Sequence, residues 1–486
     1  MSAVASALPL PELYYQPLAG KYWRPDAARR WIAADKDTAK KVVIRAGYTD
    51  ERTREGLSAA DDCILNIQER QNVAYAASLS GRPAGIHRMD NQLVLATDSP
   101  SFIQPLPGEW PVLARLLESM LNTAEVDQRS YLFGWLKTAL EAFRQQTWSA
   151  GQVLALAGPV KGGKSLLQSI ITTLLGGRSA YPYQFMTGQT SFNADLFRAE
   201  HLLVDDQAES TDIRARRNFA AHIKQIAVTR QHRCHPKHGM PMTLEPLWRM
   251  TISLNDEPER LLVLPPLDED VADKIMLLKV QSRPMPMPTS TPREQEAFWQ
   301  TLTAELPAFV QFLDKYLVPE ALRDSRFGIR SYHHPDLLHR LQETTPEHRL
   351  LELVDAVQFN MPGSNPWTGT ASELTALLQG DPRYSQQGRE LLRNAQSCGN
   401  YLTRLCGSED SRVTSRILHG SRVYTIQPPP RGGEVEQVGY FNAREVVREE
   451  GEMPGQLCRE APPAMQRLEL APPVHPGPPP PPAGLN

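Results

Sequence analysis

The sequence predicts an α/β protein built around a glycine-bearing turn between a strand and a helix. It places an α+β and helical region before that core and a small helix-and-hairpin module after it. Three observations predict this. From 151 to about 283, strand-like and helix-like patterns alternate with loops, the signature of an α/β unit. At the head of that stretch, the apolar run "QVLALA" (152–157) meets "GPVKGGKS" (158–165) and then the amphipathic pattern "SLLQSIITTLL" (165–175). Over 370–426, two helical patterns precede two short β-like runs around His419–Ser421.

The elements follow in chain order. Residues 1–108 form an α+β region, with "KKVVIRAGY" (40–48) and "NQLVLATD" (91–98) predicted as strands from their β-branched content. Trp23 and Trp31 are expected in its core; stacking on nucleic-acid bases is the competing role. Residues 109–148 form a helical segment, because "WPVLARLLESML" and "RSYLFGWLKTALEAF" repeat apolar residues at three- and four-residue spacing. Pro111 falls at the start of the first of these, where proline is tolerated. The α/β core spans 149–284, a helical linker 285–332 and a small separate module 333–427. Within that module 370–380 and 388–406 are helical, the latter broken near Gly399. The tail 428–486, ending "APPVHPGPPPPPAGLN", cannot bury a core and is expected to be disordered or polyproline II.

Bulk properties narrow the function classes. The chain has 486 residues and a net charge of −3, so any basic surface is local rather than global. Five scattered cysteines without CxxC spacing fit a reducing cytoplasm rather than a disulfide framework. The N-terminal "MSAVASALPLPELYYQ" lacks a basic n-region, so no signal peptide is expected. No run of about 18 apolar residues predicts a membrane span.

The chemistry concentrates in three stretches. Gly158, Gly163, Lys164 and Ser165 match G-x-x-x-x-G-K-[ST]. A tight loop turns successive backbone N–H groups toward phosphate oxygens, and glycines permit the turn. The predicted nucleotide contacts are therefore Gly158, Pro159, Val160, Lys161, Gly162, Gly163, Lys164, Ser165 and Leu166. Lys164 would place charge at the β- and γ-phosphates, Ser165 would ligate Mg²⁺, and the helix N-terminus would face the anion. "AEHLLVDDQAE" (199–209) then supplies Asp205 and Asp206 at a strand end. One carboxylate, Asp205, would hold Mg²⁺ with Ser165, and Asp206 would polarise the attacking water. A helix cap or turn is the structural alternative. Third, "LWRMTISLNDEPERL" (247–261) ends a strand in Asn255, an amide able to bond a γ-phosphate or lytic water; opening a turn is the other common role of Asn.

These three pieces, in this order, resemble the superfamily 3 helicases of viruses, phages and plasmids. The closest likeness is to the helicase portion of phage and plasmid primase-helicases, including the poxvirus type. "GPVKGGKS" resembles their Walker A, "LLVDD" their Walker B and "TISLNDEP" their motif C with its sensor asparagine. "AAHIKQIAVTRQHRCHPKHGMPMTLEP" (220–246) is similar to the motif feeding their DNA-contacting loop, with Lys224 and Lys237 at the lysine positions. "FNADLF" (192–197) and "VADKIMLL" (271–278) also fit. The resemblance covers about 150–285 strongly and the rest more weakly. It implies an AAA+-like P-loop core with a helical collar, working as a ring, commonly a hexamer, that uses ATP and Mg²⁺ to move on single-stranded DNA. The family's arginine finger has no clear counterpart: Arg260, Lys274 and Arg283 are the candidates.

Arg230, His232, Arg233, His235, Lys237 and His238 crowd into nine residues. Of the cluster, Arg230, Arg233 and Lys237, with Lys224 upstream, are the expected DNA contacts, pairing with phosphates. A solvated charged loop is the plain alternative. A metal site on His232, Cys234, His235 and His238 is another, though structural zinc sites usually pair two separated knuckles. The helix–helix–hairpin order of the 333–427 module is that of a winged helix, with Arg389, Arg393, Arg404, Arg416 and Arg422 facing DNA or the module docking protein. No carboxylate pair suited to primer synthesis precedes the core, so a separate primase or replication protein is an expected partner. The expected activity is thus that of an ATP-dependent DNA helicase or translocase in replication of a phage, virus or plasmid-like element. Two other classes fit the same motifs: an ATP-driven protein remodeller indifferent to DNA, as in antiviral defence, and a nucleotide-gated DNA-binding scaffold.

Overall fold

The structure, a computed structural model, describes residues 8–52, 56–89, 91–205, 213–237, 240–265, 267, 270–343, 345–361, 363–406, 412–418 and 420–429. The proline-rich tail from 430 onward, Asp206, His238 and His419 lie outside the described residues.

The chain opens with a three-stranded antiparallel sheet, β1 (Tyr14–Gln16), β2 (Lys21–Pro25) and β3 (Trp31–Ala34). Helices α1 (Lys36–Arg45) and α2 (Ala59–Arg70) follow, and Leu13, Tyr22, Val43, Ile64 and Ile67 form their shared core. Of the strand expected over 40–48, residues 40–45 are instead the C-terminal part of α1, and 46–48 lie beyond its end. Asp35 accepts from Thr38 N and starts the helix, and Ala39 and Val43, four residues apart, are its buried positions. Trp23 and Trp31, expected in the core, are half-buried on the small sheet. The indole of Trp23 donates to Gln16 Oε1, and Tyr22 takes the interior position. A second small sheet has β6 (Gln92–Ala96) between β4 (Tyr75–Ala77) and β5 (Gly85–Met89); β6 lies within the strand expected over 91–98.

Helices α3 (Pro111–Leu121) and α4 (Arg129–Arg144) lead into the central α/β unit, with Pro111 in the first turn of α3. The unit comprises β7 (Val153–Ala157), α5 (Lys164–Leu174), β8 (Ser179–Ala180), α6 (Tyr183–Met186), β9 (His201–Val204), α7 (Ile213–Val228), β10 (His232–Cys234), β11 (Met242–Leu244), β12 (Arg249–Leu254), α8 (Pro258–Leu261) and β13 (Ile275–Lys279). Five of these strands make one parallel sheet in the order β13-β7-β12-β9-β8. Alternate residues of a strand face opposite sides, and here both sides are buried, as a parallel sheet requires. Leu154 and Leu156 of β7 join a core with α3, α4, α5 and the long helix α9 (Pro292–Lys315). Val153, Ala155 and Ala157 join another with Phe219 and Ile223 of α7 and the second small sheet.

The C-terminal part contains α10 (Pro335–Glu343), α11 (Pro346–Gln358), β14 (Trp367–Gly369), α12 (Ala371–Gly380), α13 (Ser385–Leu391), α14 (Ala395–Leu405), β15 (Val413–Leu418) and β16 (Ser421–Ile426). The last two pair as an antiparallel hairpin, and β14 adds to β16. From α11 onward these elements surround their own core, including Leu353, Leu374, Leu402 and Tyr424. The helical stretch 388–406 breaks at Arg393–Asn394 rather than near Gly399, because Asn394 caps α14 by accepting from Ser397 N. Among the described residues, no helix is long and apolar enough to cross a membrane.

Candidate nucleotide site

The sheet register lines up three strand ends. Ala157 of β7 pairs with Leu254 of β12, so Gly158 and Asn255 emerge side by side. Ile252 of β12 pairs with Val204 of β9, so Asp205 emerges level with Ser253. In open parallel sheets, ligands bind outside these carboxyl ends. Here the ends border a cavity of about 340 Å³ lined by the loop residues 160–166, Asp205, Ser253, Asn255 and Met285.

The loop from Gly158 to Gly163 turns sharply. Lys161 (φ 64°) and Gly163 (φ 84°) both adopt left-handed backbone, Gly162 N donates to Pro159 O at 3.1 Å, and α5 begins at Lys164. Gly158 permits close approach rather than unusual φ: a Cβ there would lie 2.2 Å from Val280 O. Lys164 is only 7 % exposed. Its Nζ donates to Gly158 O (2.7 Å), Pro159 O (2.9 Å) and Asn255 Oδ1 (3.1 Å). The structure therefore brings Lys164, Ser165, Asp205 and Asn255 to one cavity. Asp206 follows Asp205 outside the described residues. Gly158 and Pro159, expected among the nucleotide contacts, are not among the residues lining the cavity; their carbonyls accept from Lys164 Nζ behind it.

Ser253 was not singled out from sequence. Its hydroxyl donates to Asp205 Oδ1 at 2.8 Å and so orients the carboxylate. A signal existed: Ser253 lies in β12 and Asn255 just past its end, two residues on, a spacing that in extended chain puts both on one side, and both line the cavity. Beneath the site, a polar layer ties α5 to its strands. Gln168 Nε2 donates to Thr251 Oγ1 (2.9 Å), and His201 bridges Thr172 Oγ1 (2.7 Å) and Thr251 Oγ1 (2.9 Å). Burial of His201 lowers its pKa to about 3, so the ring is neutral there.

The basic cluster divides. β10 and β11 pair antiparallel as a hairpin, with Arg233 opposite Thr243. Arg233 and Lys237 are exposed on it. Asn193, from "FNADLF", pins its base: Nδ2 donates to Arg233 O (2.9 Å) and Oδ1 accepts from His235 N (2.7 Å). Arg230 pairs with Glu245 at 3.1 Å. Lys224 sits apart, on α7, 3.2 Å from Asp270. Cys234 is fully buried, and desolvation pushes its thiol up to about 12, which keeps it protonated in this environment. Among the described residues, no His, Cys, Asp and Glu side chains group to hold a metal ion.

Of the finger candidates, Lys274 is engaged within the chain, donating to Asp270 O and Asp273 Oδ1. Arg260 lies on α8. Arg283 is exposed, its Nε bonded to Gln281 Oε1 at 2.7 Å. In the C-terminal hairpin, Arg416 and Arg422 are exposed on paired strands. Arg389 and Arg393 are also exposed, and Arg404 pairs with Glu347.

No known family model matches the chain, and no curated protein matches it. Solved structures do. The apo structure of the NrS-1 C-terminal region (305–718) aligns with a TM-score of 0.49 and 12 % identity, covering 85 % of this chain and 95 % of that one. The A-form apo structure of the same NrS-1 region aligns with a TM-score of 0.48 and 11 % identity, covering 86 % and 96 %. Both likenesses are loose and at low identity.

Proposed function

We propose that the chain binds ATP with Mg²⁺ at the loop 158–165 and hydrolyses it to move along single-stranded DNA. The observation that carries this reading is the convergence of Lys164, Ser165, Asp205 and Asn255 on one cavity at adjacent parallel strand ends. Lys164 now satisfies its ammonium with three protein oxygens; phosphate oxygens would substitute for them with a stronger, charge-assisted partner. The N-terminus of α5 and the amides of the loop add positive potential at the same point.

The Ser165 hydroxyl and Asp205 carboxylate suit Mg²⁺, which takes hard oxygen ligands, commonly one or two from protein and the rest from phosphates and water. Bound there, the ion would neutralise charge building on the β- and γ-oxygens. Ser253 keeps Asp205 aimed. Asp206, the next residue, would take the proton of the attacking water. Asn255 Oδ1 accepts from Lys164 Nζ, so a γ-phosphate that drew the ammonium toward itself would couple the end of strand β12 to the nucleotide.

Movement on DNA is assigned to the β10–β11 hairpin. Arg233 and Lys237 supply exposed charge, and Asn193 fixes the hairpin to the core, so a shift of the core would carry the charges with it. An AAA+-like ring, commonly a hexamer, would multiply these few cations around one strand. Arg260 and Arg283 remain the candidates for reaching a neighbour's phosphates. The C-terminal module fits a winged-helix-like element contacting DNA through Arg416 and Arg422. The setting is cytoplasmic replication of a phage, virus or plasmid-like element, with priming by another chain. The proposed divisions fall near 108, 148, 284, 332 and 427.

The test is unwinding of a forked duplex with ATP and Mg²⁺, comparing wild type with the Arg233→Ala, Lys237→Ala pair. ATP-dependent strand separation that is lost in the pair supports the reading. Strand separation unchanged in the pair removes the hairpin from it.

A further inference from the structure

The central strand of the large sheet is polar on one side. β12 lies in the middle of five parallel strands, where both faces are buried and apolar residues are expected. Met250, Ile252 and Leu254 meet that expectation on the side toward α7. Toward α5 stand Thr251 and Ser253, with Asn255 next at the same spacing. Each bonds a different part of the candidate site. Asn255 accepts from Lys164, Ser253 donates to Asp205, and Thr251 joins the polar layer beneath. Thr251 and His201 are fully buried, and Gln168 is nearly so.

The bonds of that layer run in one direction and close on themselves. Gln168 Nε2 faces Val204 O at 3.4 Å as well as Thr251 Oγ1 at 2.9 Å. A carbonyl can only accept, so the amide presents its NH₂ group here. Thr251 Oγ1 therefore accepts from Gln168 and has its single proton for His201 Nε2, 2.9 Å away. Thr172 Oγ1 donates its own proton to Gln168 O at 3.0 Å, and so accepts from His201 Nδ1 at 2.7 Å. The circuit Gln168–Thr251–His201–Thr172 is complete only when the imidazole is neutral with its proton on Nδ1. Burial of the ring supplies the neutrality.

Apolar side chains of similar shape would pack α5 on the sheet without these bonds; what the bonds add is direction and a fixed distance. Gln168 lies one turn beyond Lys164 and Ser165, and Val204 immediately precedes Asp205. We propose that Gln168, Thr172, His201 and Thr251 are positioning residues for ATP hydrolysis, their closed circuit fixing the N-terminus of α5, and Ser165 with it, against Asp205. The inference rests on the reading of 158–165 as a nucleotide site, so its test separates positioning from binding.

ATP turnover by the full chain is followed against Mg²⁺ concentration for wild type, Thr251→Val and Thr251→Ser, with calorimetric melting of each. Thr251→Val keeps the branched shape and removes the hydroxyl. The expected result is a kcat about tenfold lower and a half-saturating Mg²⁺ concentration about tenfold higher, the worth of one well-made hydrogen bond, in protein still folded at the assay temperature. Thr251→Ser, which restores the hydroxyl, should return both close to wild type. A Thr251→Val protein that melts lower yet keeps wild-type kcat and a superimposable Mg²⁺ titration overturns the inference, because the circuit is then packing alone. Thr251→Ser displaced as far as Thr251→Val overturns it too. ¹⁵N NMR of histidine-labelled wild type, with His201 assigned by difference from His201→Gln, needs no stable Thr251 variant: Nδ1 protonated and Nε2 bare supports the circuit, and the opposite tautomer breaks it. A wild-type chain that neither binds nor hydrolyses ATP with Mg²⁺ overturns the nucleotide reading itself, and the positioning role with it.

Discussion

Replacing Gly158 by alanine tests whether the loop depends on strand spacing. Gly158 N donates to Leu254 O on β12 (3.2 Å), while on the other flank Val280 N donates to Ala157 O (2.7 Å). An added Cβ would sit 2.2 Å from Val280 O, 2.9 Å from its carbonyl carbon and 3.0 Å from its Cβ. Two of these atoms are backbone, so no rotamer change relieves the clash, and the chain leaving β13 must retreat by roughly 1 Å. Overpacking of this kind costs about 1–3 kcal/mol, and weakening the Ala157–Val280 bond adds about 0.5–1.5 kcal/mol. A loss of about 2–4 kcal/mol lowers the melting temperature of a core this size by roughly 4–16 °C. The same shift moves Gly158 O away from Lys164 Nζ, so ATP affinity falls as well. Differential scanning calorimetry and ATP titration measure the two effects. The Gly162→Ala protein is the comparison: there the nearest atoms are Pro159 O at 3.0 Å and Val280 Cγ1 at 3.4 Å, and the penalty is smaller. Gly158→Ala melting within a degree of wild type and binding ATP normally would refute the spacing argument.

Other outcomes follow from the same geometry. Ser253→Ala removes the bond that orients Asp205; the Mg²⁺ concentration for half-maximal turnover rises about tenfold, since bonds to charged groups contribute about 1.5–3 kcal/mol, and superimposable Mg²⁺ titrations would count against it. His201, whose folded pKa is about 3 against about 6.5 unfolded, binds fewer protons folded than unfolded between those values. Stability is therefore full above about pH 6.5 and falls as pH drops toward 3, by at most about 1.4 kcal/mol per pH unit from this group; His232, His333 and His334, also shifted down chiefly by burial, add in the same direction. Urea midpoints at pH 5, 6 and 7 measure the slope, and His201→Gln should flatten it. Arg233→Ala with Lys237→Ala should weaken single-stranded DNA binding and reduce its salt slope by roughly 0.7 per lost phosphate contact, read from anisotropy at several salt concentrations; an unchanged slope would remove these side chains from the DNA contact.

The loop at 158–165 was legible because its chemistry is local: spacing alone sets which groups can surround a phosphate. Asp205 and Asn255 were legible as strand-end polar residues, but the 2.8 Å bond from Ser253 to Asp205 was not, because it depends on the β9–β12 register. The stretch 40–48 misled because Val42, Val43 and Ile44 together satisfy strand preference; the Asp35 cap and packing of Val43 against α2 outweigh it. Gly399 misled similarly: it stays within α14, and Asn394 makes the break. Lys224 and Lys237 were grouped by sequence nearness to one motif, yet one lies on a helix and the other at a hairpin turn. A second cavity, lined by residues between 115 and 124 with Gln281 and Arg283, joins stretches far apart in sequence, and nothing local couples them.

The most direct test of the central claim is steady-state ATP turnover by the purified full-length chain, with and without single-stranded DNA, beside Lys164→Ala. The account predicts Mg²⁺-dependent turnover that rises with DNA in the wild type and is lost in Lys164→Ala. Turnover that ignores DNA would contradict the translocase and point to protein remodelling. Turnover that survives Lys164→Ala would contradict the site itself.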